Sequence, residues 1–458
     1  MITEVLFMKL CRLIAIFTVI LLLCACAPAG GEESTVQSGG SGREIGSVPQ
    51  QSKSEPQDAE KEPDYAPTEQ GYELYDFPKP EFSAEDMAEF DFAFSANFVL
   101  TKTGDVYAWG LNDGGVLGLG LPENAMVLNP AKIEIGEPVR EIAVNSGGYA
   151  AAALGESGKL YGWGLNLSAC FPNEEKAVIN VPAALDTDME IEHIALDTML
   201  VLCGKNGDVY ICGCFGDEAM SFAEQYYQTG KIAESRSLEL VGNLPNIKSV
   251  SVSGDCAAFL TGDGEVYTIG RIGRHTDFDK LGKYTNDKIA KTDFPEKIVK
   301  AKALTEGLAA LSESGKLYYM GHDVYGIADS REELEASFAD AEKNRITKPA
   351  VIEKIGGKVA DFETGGGNII VRTEDGELYT WGYDGGSFTC ANEKSEFVLK
   401  PQKIDFPAAV TRMSIGNFAG AAITESGRAF AWGSGYYCIY TDDTYAKSHT
   451  PRELLFGK

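Results

Sequence analysis

Leu100-Thr101-Lys102-Thr103-Gly104-Asp105-Val106-Tyr107-Ala108-Trp109-Gly110 is the stretch on which the fold is decided. A small apolar run leads into a polar turn at Thr103-Gly104, and Val106 to Trp109 is then apolar at every position. Gly in such a turn accepts positive φ, so the two runs read as a hairpin. A strand that is apolar on both sides must be covered on both sides.

Six further segments repeat it: GKLYGWG from Gly158, GDVYICG from Gly207, GEVYTIG from Gly264, GKLYYMG from Gly315, GELYTWG from Gly376 and GRAFAWG from Gly427. Their first glycines lie 54, 49, 57, 51, 61 and 51 residues apart, counting from Gly104. All four Trp of the chain (Trp109, Trp163, Trp381 and Trp432) occupy one slot of the motif, which chance placement would not produce. Spacing of this kind marks a repeat architecture, and sheets sandwiched between like neighbours satisfy the two-sided burial.

Each unit offers two more strands. One is a β-like run ahead of the small apolar strand, such as Val139–Val144, Ile247–Val252 or Val410–Ile415. The other, often opened by Pro, is expected at Pro130–Ile135, Pro182–Leu185, Leu238–Val241, Pro295–Val299, Pro349–Ile355, Pro401–Ile404 and Pro451–Phe456. The expectation is an all-β, seven-bladed β-propeller of four-stranded antiparallel blades. Pro451–Phe456 is left without a later partner, so it is expected to return and pair with the first blade, closing the ring.

The hairpin, followed by Asn112-Asp113-Gly114-Gly115-Val116-Leu117-Gly118-Leu119-Gly120, resembles the repeat of the regulator-of-chromosome-condensation family. The resemblance runs from Phe90 to Phe456 and implies a seven-bladed propeller. Only the first unit keeps the full glycine-rich tail, and the family's His in the small strand is replaced by Ala96, Ala150, Thr198, Cys256, Gly307, Asn368 and Ala419. Arg372 stands where the sixth unit should carry an aliphatic residue. The family's founder is a nucleotide-exchange factor for a nuclear GTPase, a partner that an exported protein does not meet. Secreted bacterial relatives include a protein inhibitor of β-lactamase, a precedent for binding proteins through loops on one face.

The N-terminal region gives the address. Lys9 and Arg12 precede the apolar run Leu13 to Leu23, which is too short for a comfortable membrane span and reads as a secretory signal. Glu4 is foreign to such a region, so Met8 is the expected start. Leu23-Cys24-Ala25-Cys26 resembles a bacterial lipobox, which makes Cys26 the expected lipidation site of a lipoprotein with residues 1–26 as its signal. Residues 27–73 carry ten acids against three bases with few aliphatics, the composition of a disordered tether. Its root-mean-square reach is about 35–40 Å. The rest, 74–458, is the propeller, expected on the extracytoplasmic side of a bacterial cell membrane.

Over 458 residues the formal charge is −28, and −22 of it falls on the folded part. Phosphate contacts need clustered Lys and Arg, so nucleic acid is not an expected partner. Only four His are present, at unmatched positions, and no nucleophilic triad or phosphate loop stands out. Beyond Cys26 the seven cysteines are odd in number and irregular in spacing, which is no disulfide framework. Cys203, Cys212 and Cys256 fall in apolar strand slots, and Cys212-x-Cys214 lacks the further ligands of a zinc site. No cofactor and no metal is expected, and the propeller is expected to be monomeric.

Two rings of loop residues are the candidate contacts. Just before the small strands stand Ser95, Tyr149, Asp197, Asp255, Glu306, Gly367 and Phe418, of which Tyr149, Asp197, Asp255, Glu306 and Phe418 suit recognition of a basic or mixed partner. The long connections after the Trp slot carry Phe215, Tyr226, Tyr227, Phe278, Tyr325, Tyr383, Phe388, Tyr436, Tyr437 and Tyr440, and two of them, Glu218–Tyr227 and Ser330–Lys343, read as helical. The function so read is a surface-anchored, non-catalytic scaffold that binds a protein or cell-surface ligand. The alternatives are a carbohydrate-active enzyme with acids such as Asp255 and Glu306 at the channel, or a structural envelope protein.

Overall fold

The computed structural model describes residues 72–92, 96–213, 236–254, 256–270, 289–304, 307–321, 346–365, 367–383, 391, 397–416, 419–434 and 447–454. Within them twenty-nine strands form seven sheets. Blade one runs β2 (Met87–Phe92), β3 (Ala96–Thr101), β4 (Val106–Leu111) and β5 (Ala125–Lys132), with β1 (Glu73–Tyr75) added parallel to β5 at the outer edge. Blade two is β6 (Val139–Val144), β7 (Ala150–Gly155), β8 (Leu160–Leu165) and β9 (Val178–Leu185); blade three is β10 (Ile191–Leu196), β11 (Met199–Gly204), β12 (Asp208–Gly213) and β13 (Glu239–Asn243). Blade four is β14 (Ile247–Ser253), β15 (Cys256–Thr261), β16 (Val266–Ile269) and β17 (Ala290–Thr292); blade five is β18 (Ile298–Leu304), β19 (Gly307–Ser312), β20 (Leu317–Gly321) and β21 (Ile346–Val351). Blade six is β22 (Val359–Thr364), β23 (Asn368–Thr373), β24 (Leu378–Tyr383) and β25 (Phe397–Ile404); blade seven is β26 (Val410–Ile415), β27 (Ala419–Thr424), β28 (Ala429–Ser434) and β29 (Lys447–Leu454).

The seven-bladed, four-stranded antiparallel fold read from the repeats is the fold observed, but its phase differs from the one expected. Each blade is complete in chain order, from the inner β-like run outward to the strand that often contains Pro. The C-terminal strand therefore does not pair with the first blade. β29 pairs with β28, with Phe430 opposite Glu453 and Ala431 opposite Arg452. The Pro-containing strand completes the unit before it rather than opening the unit after it, so Pro451–Phe456 needs no later partner. The ring is closed by side chains instead. Arg412 of β26 donates to the carbonyls of Ala84, Met87 and Ala88 and lies over the Phe90 ring.

A second correction concerns Pro295–Val299. The outer strand of blade four is β17, whereas Ile298 already begins the inner strand of blade five. Elsewhere Pro sits inside the outer strand rather than opening it, at a repeated interruption of the ladder. Between Ala131 and Val127, which face Ala108 and Gly110, three residues ending in Pro130 oppose Trp109 alone. The same three-to-one break holds Pro182 opposite Trp163, Pro349 opposite Met320, Pro401 opposite Trp381 and Pro451 opposite Trp432. A residue without an N–H is tolerated where the ladder is already broken.

The motif glycines follow from geometry. The first, in the hairpin turn, has φ between 71° and 87° in all seven units, and the last lies between 89° and 134°. At Gly164 a Cβ would also stand 2.4 Å from the Tyr149 carbonyl oxygen. The four Trp are fully buried, and each core cluster beyond blades seven to three joins two neighbouring blades, as where Leu311 of blade five shares a cluster with Trp381 of blade six. Truncating one such Trp to Ala costs about 3–5 kcal/mol. Backbone bonds add spokes: the turn carbonyls of Gly104, Gly207, Gly264, Gly315 and Gly376 accept from Val139, Leu244, Ile298, Val359 and Val410, each at or ahead of the next blade's inner strand.

Candidate binding face and central channel

Antiparallel order fixes where the loops go. Connections between the first and second strands of a blade, and between the third and fourth, leave from the same end of the sheet. Both kinds of connection therefore leave from one face, and the short hairpin turns lie on the other. β1 runs parallel to β5, so the chain also enters the fold from the long-loop end.

On that face Asn145 shapes the turn before β7: its Oδ1 accepts from Tyr149 N at 2.9 Å and Ala150 N at 3.0 Å. Tyr149 is half-buried over Gly147, where a Cβ would fall 2.0 Å from the ring. Asp197 is placed differently from its expected role. It is only 6% exposed, and its carboxylate accepts from Ser146 Oγ of blade two at 3.0 Å and from Gly254 N of blade four at 2.7 Å. It thus ties three successive blades. Met199 faces Gly213 as Ala150 faces Gly164, so the counterpart of Tyr149 is Thr198, whose Oγ1 donates to Gly254 O at 2.7 Å. The small strand of this blade runs one residue further than its aliphatic residues, to Cys203, which faces Val209. Asp255, Glu306, Phe418, Ser95 and the lipidation residue Cys26 lie outside the described residues, as do the two helical segments and the second ring's aromatic side chains. Cys203, Cys212 and Cys256 are buried in their strands, as expected.

The glycine-rich tail of the first unit laps onto blade two. Asn112 pins it, donating to Leu121 O and Pro122 O and accepting from Leu117 N. Val116 O then accepts the Trp163 indole at 2.7 Å. In the next unit the pattern is reduced: Asn166 Oδ1 accepts from Phe171 N, and the Cys212 thiol, in the Trp slot, donates to Ala169 O.

The axis holds a set of residues that the loop argument did not reach. Every inner strand has a register shift after its first residue, and the residue that resumes the ladder is in turn Glu89, Glu141, His193, Ser249, Lys300, Asp361 and Arg412. Two residues on come Asp91, Ala143, Ala195, Ser251, Lys302, Glu363 and Ser414. Their interactions cross from blade to blade. Lys300 Nζ lies 2.7 Å from Asp361 and 2.5 Å from Glu363, and Lys302 lies 3.0 Å from Glu363. Burial opposes the charge of Glu363, but Lys302 and Lys300 outweigh it and hold its pKa well below the usual range. Burial likewise works against the charge of Lys300, and Glu363 and Asp361 raise its pKa in spite of it.

The other arc lacks such neutralisation. His193 Nδ1 stands 3.5 Å from Glu141 Oε2, and Ile194 N donates to Glu141 Oε1 at 3.3 Å. The hydrogen bond with Glu141 is the main reason the His193 pKa is raised. Glu89 makes no hydrogen bond or ion pair within the described residues. It keeps contact with water while lying among protein atoms, as a side chain in a channel does. Desolvation first, and then the charge of Glu141, pushes it up to about 7. The alternation Lys300-Ala301-Lys302 and Asp361-Phe362-Glu363 was the available signal, since alternate polar positions in a strand mark a single wet side.

A family model of the regulator of chromosome condensation (RCC1) repeat matches residues 103–154, the first hairpin through the second unit's small strand. The E3 ubiquitin-protein ligase HERC2 of Mus musculus is 26% identical over 305 residues, covering 62% of this chain but only 6% of that protein's own length. The regulator of chromosome condensation of Homo sapiens is 24% identical over 323 residues, covering 65% of this chain and 72% of the relative. Among solved structures, Prp20p from Saccharomyces cerevisiae, described with its binding properties to Gsp1p and histones, superposes with a TM-score of 0.62 at 18% identity over 78% of this chain and 87% of Prp20p.

Proposed function

We propose that the protein is a binding scaffold that holds a protein or cell-surface ligand on its long-loop face. The observation that carries this reading is that the long connections between third and fourth strands leave from the same end of the ring as the turns before the small strands, while the tight hairpin turns leave from the other. Variable loops held by a rigid frame are the usual place for recognition. Relatives of this kind supply precedent, since Prp20p is described as binding Gsp1p and histones. Lipidation of Cys26 and a tether over residues 27–73 complete the proposal: the scaffold stands off the extracytoplasmic side of a bacterial membrane.

The test is capture of a stoichiometric ligand by the full-length protein, compared across two sets of variants. Tyr149→Ala, on the loop face, and Phe418→Ala, a contact expected from the sequence, should each weaken capture about tenfold or more, the scale of a 1.4 kcal/mol contact. Glu156→Gln and Glu313→Gln, in the turns of the opposite face, are expected to leave it unchanged. Loss of capture in the turn variants alone would overturn the assignment of the face. For the anchor, Cys26→Ser is expected to release the protein from the membrane fraction.

A further inference from the structure

We infer that the arc of the channel between blades one and three is a proton-operated latch, in which Glu141 grips the charged His193 of the next blade and confronts an uncompensated Glu89 of the previous one when the imidazole is neutral. The inference concerns the ring itself and does not depend on what the loop face binds. Three observations carry it. Glu89, Glu141 and His193 resume the ladder at the same register of three successive inner strands, so they share one level of the channel. Glu141 reaches into blade three twice, to the His193 ring and to the Ile194 amide. Glu89 makes no hydrogen bond or ion pair among the described residues.

The surrounding charges do not relieve it. Facing Glu89 are Glu141, Asp91 and Glu363, with Lys302 as the one cation among the described residues, and Lys302 is already engaged by Glu363. Facing His193 are Glu141, Glu192 and Arg140, and Arg140 is occupied by the carbonyls of Ile191 and Glu192. From blade seven, Arg412 is spent on the carbonyls of Ala84, Met87 and Ala88. In mild acid, His193 is charged and Glu89 is protonated, so Glu141 meets one cation and no adjacent anion. Above neutrality the imidazole loses its charge while Glu89 gains one, facing the carboxyl groups of Glu141 and Asp91. Both groups titrate at raised pKa in the folded state, so both effects stabilise the arc in acid and lose that stabilisation as pH rises.

The test uses the full-length protein and its thermal midpoint at about pH 5.5 and about pH 8, the two sides of the histidine range. The wild type is expected to melt higher at the acid pH. Glu89→Gln and His193→Gln should each shrink that difference markedly, whereas Glu156→Gln, which removes one acid from an outer turn, should keep it. Should both channel variants retain the full wild-type difference, the latch is refuted and general charge repulsion explains the profile. If either variant does not fold, an NMR titration of the wild-type imidazoles decides. His193 should titrate above 6.5 and fall back in Glu141→Gln; a midpoint at or below 6.5 in the wild type overturns the inference.

Discussion

Arg412 Nη2 donates to the carbonyl of Ala84 at 2.7 Å, joining the last blade to the turn that leads into the first. The same guanidinium serves the Met87 carbonyl, so one side chain does at this seam what a shared strand was expected to do. The seam also holds an apolar cavity of about 10 Å³ between Phe90, Trp109, Ala421 and Phe430, room for no more than about one water.

Arg412→Leu should therefore open the ring at one place. Leaving the part-buried carbonyls of Ala84 and Met87 without a donor costs up to about 1–3 kcal/mol each. In hydrogen exchange, β2 and β26 should lose protection first, with β10 and β14 on the far side of the ring unchanged. Uniform loss across all blades would count against a localised closure.

Trp163→Phe isolates the lapping tail. It keeps most of the packed volume and removes the bond to Val116 O, so about 1–2 kcal/mol should be lost, against about 3–5 for Trp163→Ala. Denaturant unfolding measures both, and a Trp163→Phe variant as stable as the wild type would show that the indole bond contributes nothing.

Asp197→Ala should behave as a core variant. Ser146 and Gly254 lose their shared acceptor, and stability should fall by about 2–4 kcal/mol. Ligand capture at low temperature, where the variant is folded, should stay near the wild-type level. A stable variant that fails to capture ligand would return Asp197 to the contact surface.

The Lys300–Glu363 arc has the opposite pH sign to the latch. The Glu363 pKa is depressed, so the pair stabilises above the ordinary carboxylate range and this contribution is lost as pH falls through the lowered value. Lys300→Met should lower stability at neutral pH and flatten the decline between about pH 5 and pH 2. An acid limb unchanged from wild type would show the pair to be idle.

What could be read from residues alone was whatever each unit repeats. The Trp slot, the turn glycine and the two-sided apolar strands recur seven times and led directly to seven blades. Phase and closure were not readable in this way, because Pro451 looks the same whether its strand ends one blade or begins another; only the pairing of Phe430 with Glu453 decides. Asp197 differs from Tyr149 for a related reason: a one-residue slip in a strand is invisible in spacing but exchanges a rim residue for a buried one. The channel charges were overlooked because they differ from blade to blade. Glu89, His193 and Lys300 share a position but not a chemistry, so a search for repetition passes over them.

The most direct test of the scaffold reading is the hydrogen-exchange footprint of the captured ligand on the full-length protein. Protection is predicted at 145–149 and 166–177 and in the other long connections, with the turns at 102–105, 156–159 and 425–428 exchanging as in the free protein. Protection confined to those turns, or to the outer strands of the blades, would contradict it.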